Sequence, residues 1–216
     1  MSKNSTRRSR TGDFFSRCSG FSLLEIMIAM AILLVLSALA VPTFTVIRTA
    51  KLRQAGSNYA GLLQNARITA IQNDAYYAVA TTTSGHAQQA FIDLNGNGAL
   101  DKGETEIVLP SNVLFRTYAD NPPGLGNLET QALSSASDPS LDTADNPTFG
   151  PRGLPCKPTT ANGYTTCPAF SGAVAGTSFI TFFQSEPDGT WLAVVTNPSA
   201  RVRVFKYGTT NWSPVQ

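Results

Sequence analysis

The sequence predicts an α+β protein, with a long N-terminal helix, transmembrane and then amphipathic, packed on an antiparallel β-rich C-terminal head. Three observations carry this prediction. An uncharged, apolar run extends from Ile26 to Ile47. Apolar residues then recur at helical spacing as far as Ala70. From residue 73 onward the pattern changes to short β-branched and aromatic runs separated by Gly, Pro, Asn and Asp, which is how strands and turns read.

Residues 1–20 come first and are basic, with Lys3, Arg7, Arg8, Arg10 and Arg17 against Asp13. The whole chain carries +2, so the part after Gly20 is slightly acidic, at −2. The basic balance therefore belongs to the leading segment and is weak ground for nucleic-acid binding by the remainder. Residues 21–47 form the apolar segment, close to the ~20 residues needed to cross a bilayer. Its basic flank is N-terminal, which places residues 1–20 in the cytoplasm and the rest outside. An ordinary secretory signal would end in a small-residue cleavage site, and Ala38-Leu-Ala40 before Val41 fits one. Glu25 argues against that reading, because a carboxylate at the start of an apolar run is costly and usually functional.

Gly20-Phe21-Ser22-Leu23-Leu24-Glu25, the basic leader and the apolar run together resemble the class III leader boundary of type IV pilins and type II secretion pseudopilins. The resemblance implies that a prepilin peptidase cuts between Gly20 and Phe21 and that the new N-terminus, Phe21, is methylated. Glu25 is then fifth in the mature chain and implicated in assembly, since a carboxylate in lipid is tolerable beside the α-amine of a neighbouring subunit. Pro42, expected to kink or break the helix, also falls where the family has a proline.

Residues 48–72 read as an amphipathic continuation of the helix. Leu52, Ala55, Tyr59, Leu62, Leu63, Ala66 and Ala70 form the apolar stripe, opposed by Lys51, Arg53, Gln64 and Arg67. Residues 73–216 form the head, with strands predicted at 76–83, 90–93, 106–109, 113–118, 179–184, 191–196 and 201–207. Glu186-Pro-Asp-Gly189 and Asn197-Pro-Ser199 are turn signals that make the last three an antiparallel meander. Residues 119–151, rich in Pro, Gly, Ser and Asp and lacking Lys and Arg, read as a mobile insertion.

Phe149-Gly-Pro-Arg-Gly153, the meander and a terminal Arg-x-Arg resemble the GspH/FimT branch of minor pilins and pseudopilins. This implies a minor type IV pilin, FimT- or FimU-like, that joins the pilus core through its helix and helps initiate or cap assembly. The alternatives are a DNA-binding minor pilin for natural transformation and a GspH-like pseudopilin of type II secretion. The expected partners are the prepilin peptidase, other minor and major pilins or pseudopilins, the inner membrane and, on the second reading, DNA. The expected location is the bacterial inner membrane, single-pass with a periplasmic C-terminus, and the assembled pilus or pseudopilus.

Three further features carry chemistry. Asp93-Leu-Asn95-Gly-Asn97-Gly98-Ala99-Leu-Asp101-Lys-Gly-Glu104 fits the twelve-residue calcium loop, with Asp93, Asn95, Asn97, Ala99 (through its carbonyl), Asp101 and Glu104 as ligands. The other reading is an Asn/Gly-rich hairpin loop between strands, and no cofactor is required. Cys156 and Cys167 are an even pair in a segment expected outside the cytoplasm, which favours a disulfide over two free thiols. Cys18 belongs to the leader. Arg201 and Arg203 share one face of the last predicted strand and Lys206 the other. Such arginines can clamp phosphates, or can protect an exposed edge strand. In the related DNA-binding pilins the motif is Gly-Arg-x-Arg, and here Ala200 replaces the glycine. With one histidine, His86, no Gly-rich phosphate loop and no nucleophile elbow, an enzyme is not expected.

Overall fold

The computed structural model describes residues 20–84, 87–132, 141–142, 146–157, 159–161, 164–166, 178–186 and 188–215, with the side chains of 38–45, 84, 129–132, 141–142, 159–161 and 164–166 outside the description. The leader with Cys18, and also His86 and Cys167, lie outside the described residues. Helix α1 spans Leu23–Gln72. It is followed by β1 (Tyr77–Ser84), β2 (Ala87–Asp93), β3 (Glu106–Val108) and β4 (Val113–Arg116). A 3-10 turn at Tyr118–Asp120 leads to α2 (Leu125–Ala132), β5 (Leu141–Asp142), β6 (Thr148–Phe149) and β7 (Pro155–Cys156). Then come β8 (Thr159–Ala161), β9 (Tyr164–Thr166), β10 (Ser178–Ser185), β11 (Trp191–Thr196), β12 (Val202–Tyr207) and β13 (Trp212–Pro214).

The helix includes Pro42, so the proline, expected to kink or break it, does not end it. A proline's fixed φ is compatible with a helix, and the cost is one missing N–H bond and a displaced carbonyl. The chain divides into two compact units between Thr43 and Phe44. Among the described residues no helix is long and apolar enough to cross a membrane. The uncharged run from Ile26 to Ile47 includes residues 38–45, whose side chains lie outside the description.

In the head, two sheets share one helix. The first has the order β3-β2-β1-β6-β7 and the second β13-β12-β11-β10-β4. Pairing is antiparallel throughout except for β5, which lies parallel to β10. All seven residues of the expected helical stripe, Leu52 through Ala70, are buried. They pack with Val79, Ala90 and Ile92 of the first sheet and with Phe183, Leu192 and Val194 of the second. Complete burial of one such Leu or Ile side chain stabilises the fold by roughly 1.5–3 kcal/mol, so this stripe anchors the helix to both sheets. Tyr59 lies at its centre, edge-on to Phe115 and Phe183 at 5.8 and 5.4 Å. Burial pushes its phenol up to about 12, opposed in part by its hydrogen bond with the Thr181 hydroxyl.

The β10-β11-β12 meander forms as expected and β13 extends it. Strands β10 and β11 are buried on both faces, and β12 is half-buried. One face meets α1. The other carries Ile180, Phe182, Ala193, Val195 and Phe205, packed with Leu128 and Trp212 in a second core. This corrects the reading of residues 119–151 as a mobile insertion for the part that is described. Helix α2 lies in this stretch, with Leu128 fully buried. The Trp212 indole donates to the Pro123 carbonyl at 2.7 Å, and Asn127 Nδ2 donates to Asn211 Oδ1 at 2.9 Å. Gly124 makes the entry with φ 62°, and a Cβ there would stand 3.2 Å from Tyr207.

Candidate functional site

The N-terminal site is built from the first residues described. Gly20 is exposed, precedes the helix, and has nothing within 4 Å of the place a Cβ would occupy. Phe21 is 76% exposed. The Ser22 carbonyl accepts the first helical bond, from Ile26 N–H at 3.2 Å, so Ser22 stands at the N-cap. Glu25 is then the third helical residue, in the first turn. A carboxylate there faces the positive end of the helix, where backbone N–H groups lack helical partners. Ser22-x-x-Glu25 also has the spacing of a capping box, a local signal that the sequence reading passed over. Leu23, Leu24, Ile26, Met27 and Ile28 around it are all exposed, so the helix presents an apolar surface with a single acidic group at its start.

The 93–104 loop joins β2 to β3 and is folded on its own side chains. Asp93, only 5% exposed, accepts from Gly96 N and Asn97 N through Oδ1, at 2.7 and 3.2 Å, and from Gly98 N through Oδ2 at 2.8 Å. Glu104 accepts from Leu94 N at 2.9 Å and Asp101 N at 3.0 Å. Asp101 accepts from the side-chain amides of both Asn95 and Asn97 at 2.7 Å. The Asn95 bond, then the Asn97 bond, holds the Asp101 carboxyl below its ordinary range. Gly96, Gly98 and Gly103 take positive φ, the backbone that lets the loop curl. The acidic groups thus turn to backbone N–H and amide donors. Among the described residues no group of three His, Cys, Asp or Glu is placed to hold a metal ion.

The C-terminal basic residues do not form one cluster. Strand β12 begins at Val202, so Arg201 lies in the turn before it, exposed, with its N–H donated to Asn197 Oδ1 at 2.8 Å. Val202 and Val204 pack against the helix-side core. The pleat therefore puts Arg203 on the face of the second core with Phe205 and puts Lys206 on the opposite face. Ala200, fully buried, adopts φ 63°. A left-handed backbone costs a non-glycine residue about 1–2 kcal/mol, so a glycine would take this place at lower backbone cost. Cys156 is buried in β7, and its expected partner Cys167 lies outside the described residues.

An exposed apolar helix that opens on Gly-Phe, carries one carboxylate in its first turn and continues into a β-rich head defines a type IV pilin-like protein. Residues 15–41 match the family described as the prokaryotic N-terminal methylation motif. The chain is 32% identical over 145 residues to the pilin-like protein PilA1 of Thermus thermophilus, covering 66% of this chain and 82% of that protein. No solved structure matches it significantly. The chain belongs to the type IV pilin-like proteins, pilus-associated and anchored to the membrane, processed by a prepilin peptidase and in contact with other pilins.

Proposed function

We propose that the chain is a minor type IV pilin of the GspH/FimT branch. It is cut after Gly20, methylated at Phe21 and inserted in the filament core by residues 21–47, where it helps initiate or cap assembly. The observation that carries this reading is Glu25 in the first helical turn, five residues after Gly20, on an otherwise apolar and exposed surface. There the carboxylate pairs with the α-amine of a neighbouring subunit, and removal of the leader creates the corresponding amine on this chain. A structural subunit, not an enzyme, is the role this chemistry fits. Peptide mass spectrometry of the assembled protein tests the cut, with N-methyl-Phe21 expected and a Val41 start overturning it. Glu25→Ala is expected to be cleaved normally yet absent from sheared filaments. Deletion that leaves pili intact and blocks protein secretion would instead assign the chain to a pseudopilus.

The 93–104 loop supports a second, separate proposal, that the head takes a calcium ion at weak affinity. The full twelve-residue ligand pattern favours it. Binding requires the Asn95 and Asn97 amides to turn their oxygens inward and release Asp101. Titration calorimetry is expected to show heat for the wild type and none for Asp93→Ala. No heat in the wild type removes the proposal.

A further inference from the structure

The same loop contains two Asn-Gly peptide bonds, Asn95–Gly96 and Asn97–Gly98, both exposed. Asparagine is a thermolabile residue, and a following glycine has no Cβ to shield its nitrogen. In the reaction the Gly96 nitrogen gives up its proton and attacks Asn95 Cγ. The new C–N bond closes a succinimide, and the side-chain nitrogen leaves as ammonia with that proton. Water then opens the ring at either carbonyl, leaving aspartate or isoaspartate. One water is consumed and one ammonia released, with no change of oxidation state. The Gly98 nitrogen and Asn97 Cγ are placed for the same sequence.

Both nucleophilic nitrogens are held by one carboxylate. Gly96 N donates to Asp93 Oδ1 and Gly98 N to Asp93 Oδ2, at 2.7 and 2.8 Å. The acyl partners are held as well. Asn95 Oδ1 accepts from Asn97 N at 3.0 Å, and Asn97 Oδ1 accepts from Ala99 N at 2.7 Å. Their amide nitrogens both point to Asp101. Asp93 is nearly buried, so water competes little for its bonds.

We propose that Asn95 and Asn97 are latent deamidation sites and that Asp93 is the positioning residue that keeps them unreacted. Each conversion replaces an amide donor to Asp101 with a second carboxylate. The loop then loses a closing bond and gains a repulsion, and it does not revert. The inference stands apart from the calcium proposal, because it concerns the metal-free loop and is read as a rate.

Peptide mapping of the full chain in detergent, incubated in mildly alkaline, calcium-free buffer, quantifies the two sites separately. Native wild-type protein is expected to deamidate at both sites at least about tenfold more slowly than the same protein in urea, the factor that one charge-assisted hydrogen bond represents. Asp93→Ala is expected to abolish that protection. Asp93→Asn gives the sharper reading, because it keeps a single acceptor oxygen. Oδ1 holds two N–H groups and Oδ2 one, so the remaining oxygen is expected to stay with Gly96 and Asn97. Asn97 alone then accelerates, a selectivity that global unfolding does not produce. Equal native and urea rates, or Asp93 variants that react no faster than wild type, overturn the proposal.

Discussion

Gly56 and Gly61 lie little more than one turn apart on α1 and meet opposite surroundings. A Cβ on Gly56 would stand 2.5 Å from Leu192 Cδ2 in the core, whereas one on Gly61 would meet nothing within 4 Å. Alanine gains about 1 kcal/mol over glycine inside a helix, while overpacking a filled core costs about 1–3 kcal/mol. Thermal melts of the isolated protein should therefore separate the two substitutions by sign. Gly61→Ala is expected to be stabilising by up to about 1 kcal/mol, and Gly56→Ala destabilising by about 1 kcal/mol. Ala200 shows the converse case, a side chain kept where the backbone favours none. Its methyl group packs in the helix-side core, which offsets part of the left-handed cost. None of these three environments is written in the local sequence, because each depends on what the rest of the fold brings near it or leaves away from it.

At the scale of elements, legibility followed length and period. The seven-residue stripe of α1 was readable because its apolar positions repeat over five turns, and all seven are buried. The long strands of the meander were readable from their β-branched and aromatic runs and the turns between them. Strands β5, β6 and β7, two residues each, were not, since a period of two cannot be seen in two residues. Helix α2 was obscured by its Pro- and Gly-rich flanks, and its eight residues hold just two leucines, Leu125 and Leu128. The better clue lay elsewhere. Strands β10 and β11 are apolar at adjacent positions, and strands buried on both faces read as near-continuous hydrophobic runs. Something therefore had to cover the second face. Leu128→Ala tests that cover. It is expected to destabilise the head by about 2 kcal/mol, at the low end for a buried leucine because α2 lies at the margin of the fold. Trp212 emission should shift to the red, and proteolysis should begin near residues 119–132. Unchanged Trp212 emission would show that α2 does not depend on Leu128 for its docking.

For the whole molecule, the N-terminal site was legible from sequence because its meaning is local, in one hexapeptide ahead of one apolar run. The 93–104 loop was legible as a pattern only. Its fold fixes the arrangement that spacing leaves open, with acidic groups tied to N–H donors and asparagine amides turned to Asp101. The core is decided at long range. The α1 stripe at Leu52–Ala70 is covered in part by Phe183, Leu192 and Val194, more than a hundred residues later in the chain. Contacts of such separation form slowly and leave apolar surface uncovered while they wait. In a chain made from its N-terminus, that sequence separation becomes a time. The amphipathic half of α1 is made first with its buried face bare, and it gains its second sheet only when nearly the whole chain has been made. During that interval the stripe has only the first sheet for cover, so the order of synthesis, and not the final contacts alone, decides how long its apolar face stays in water.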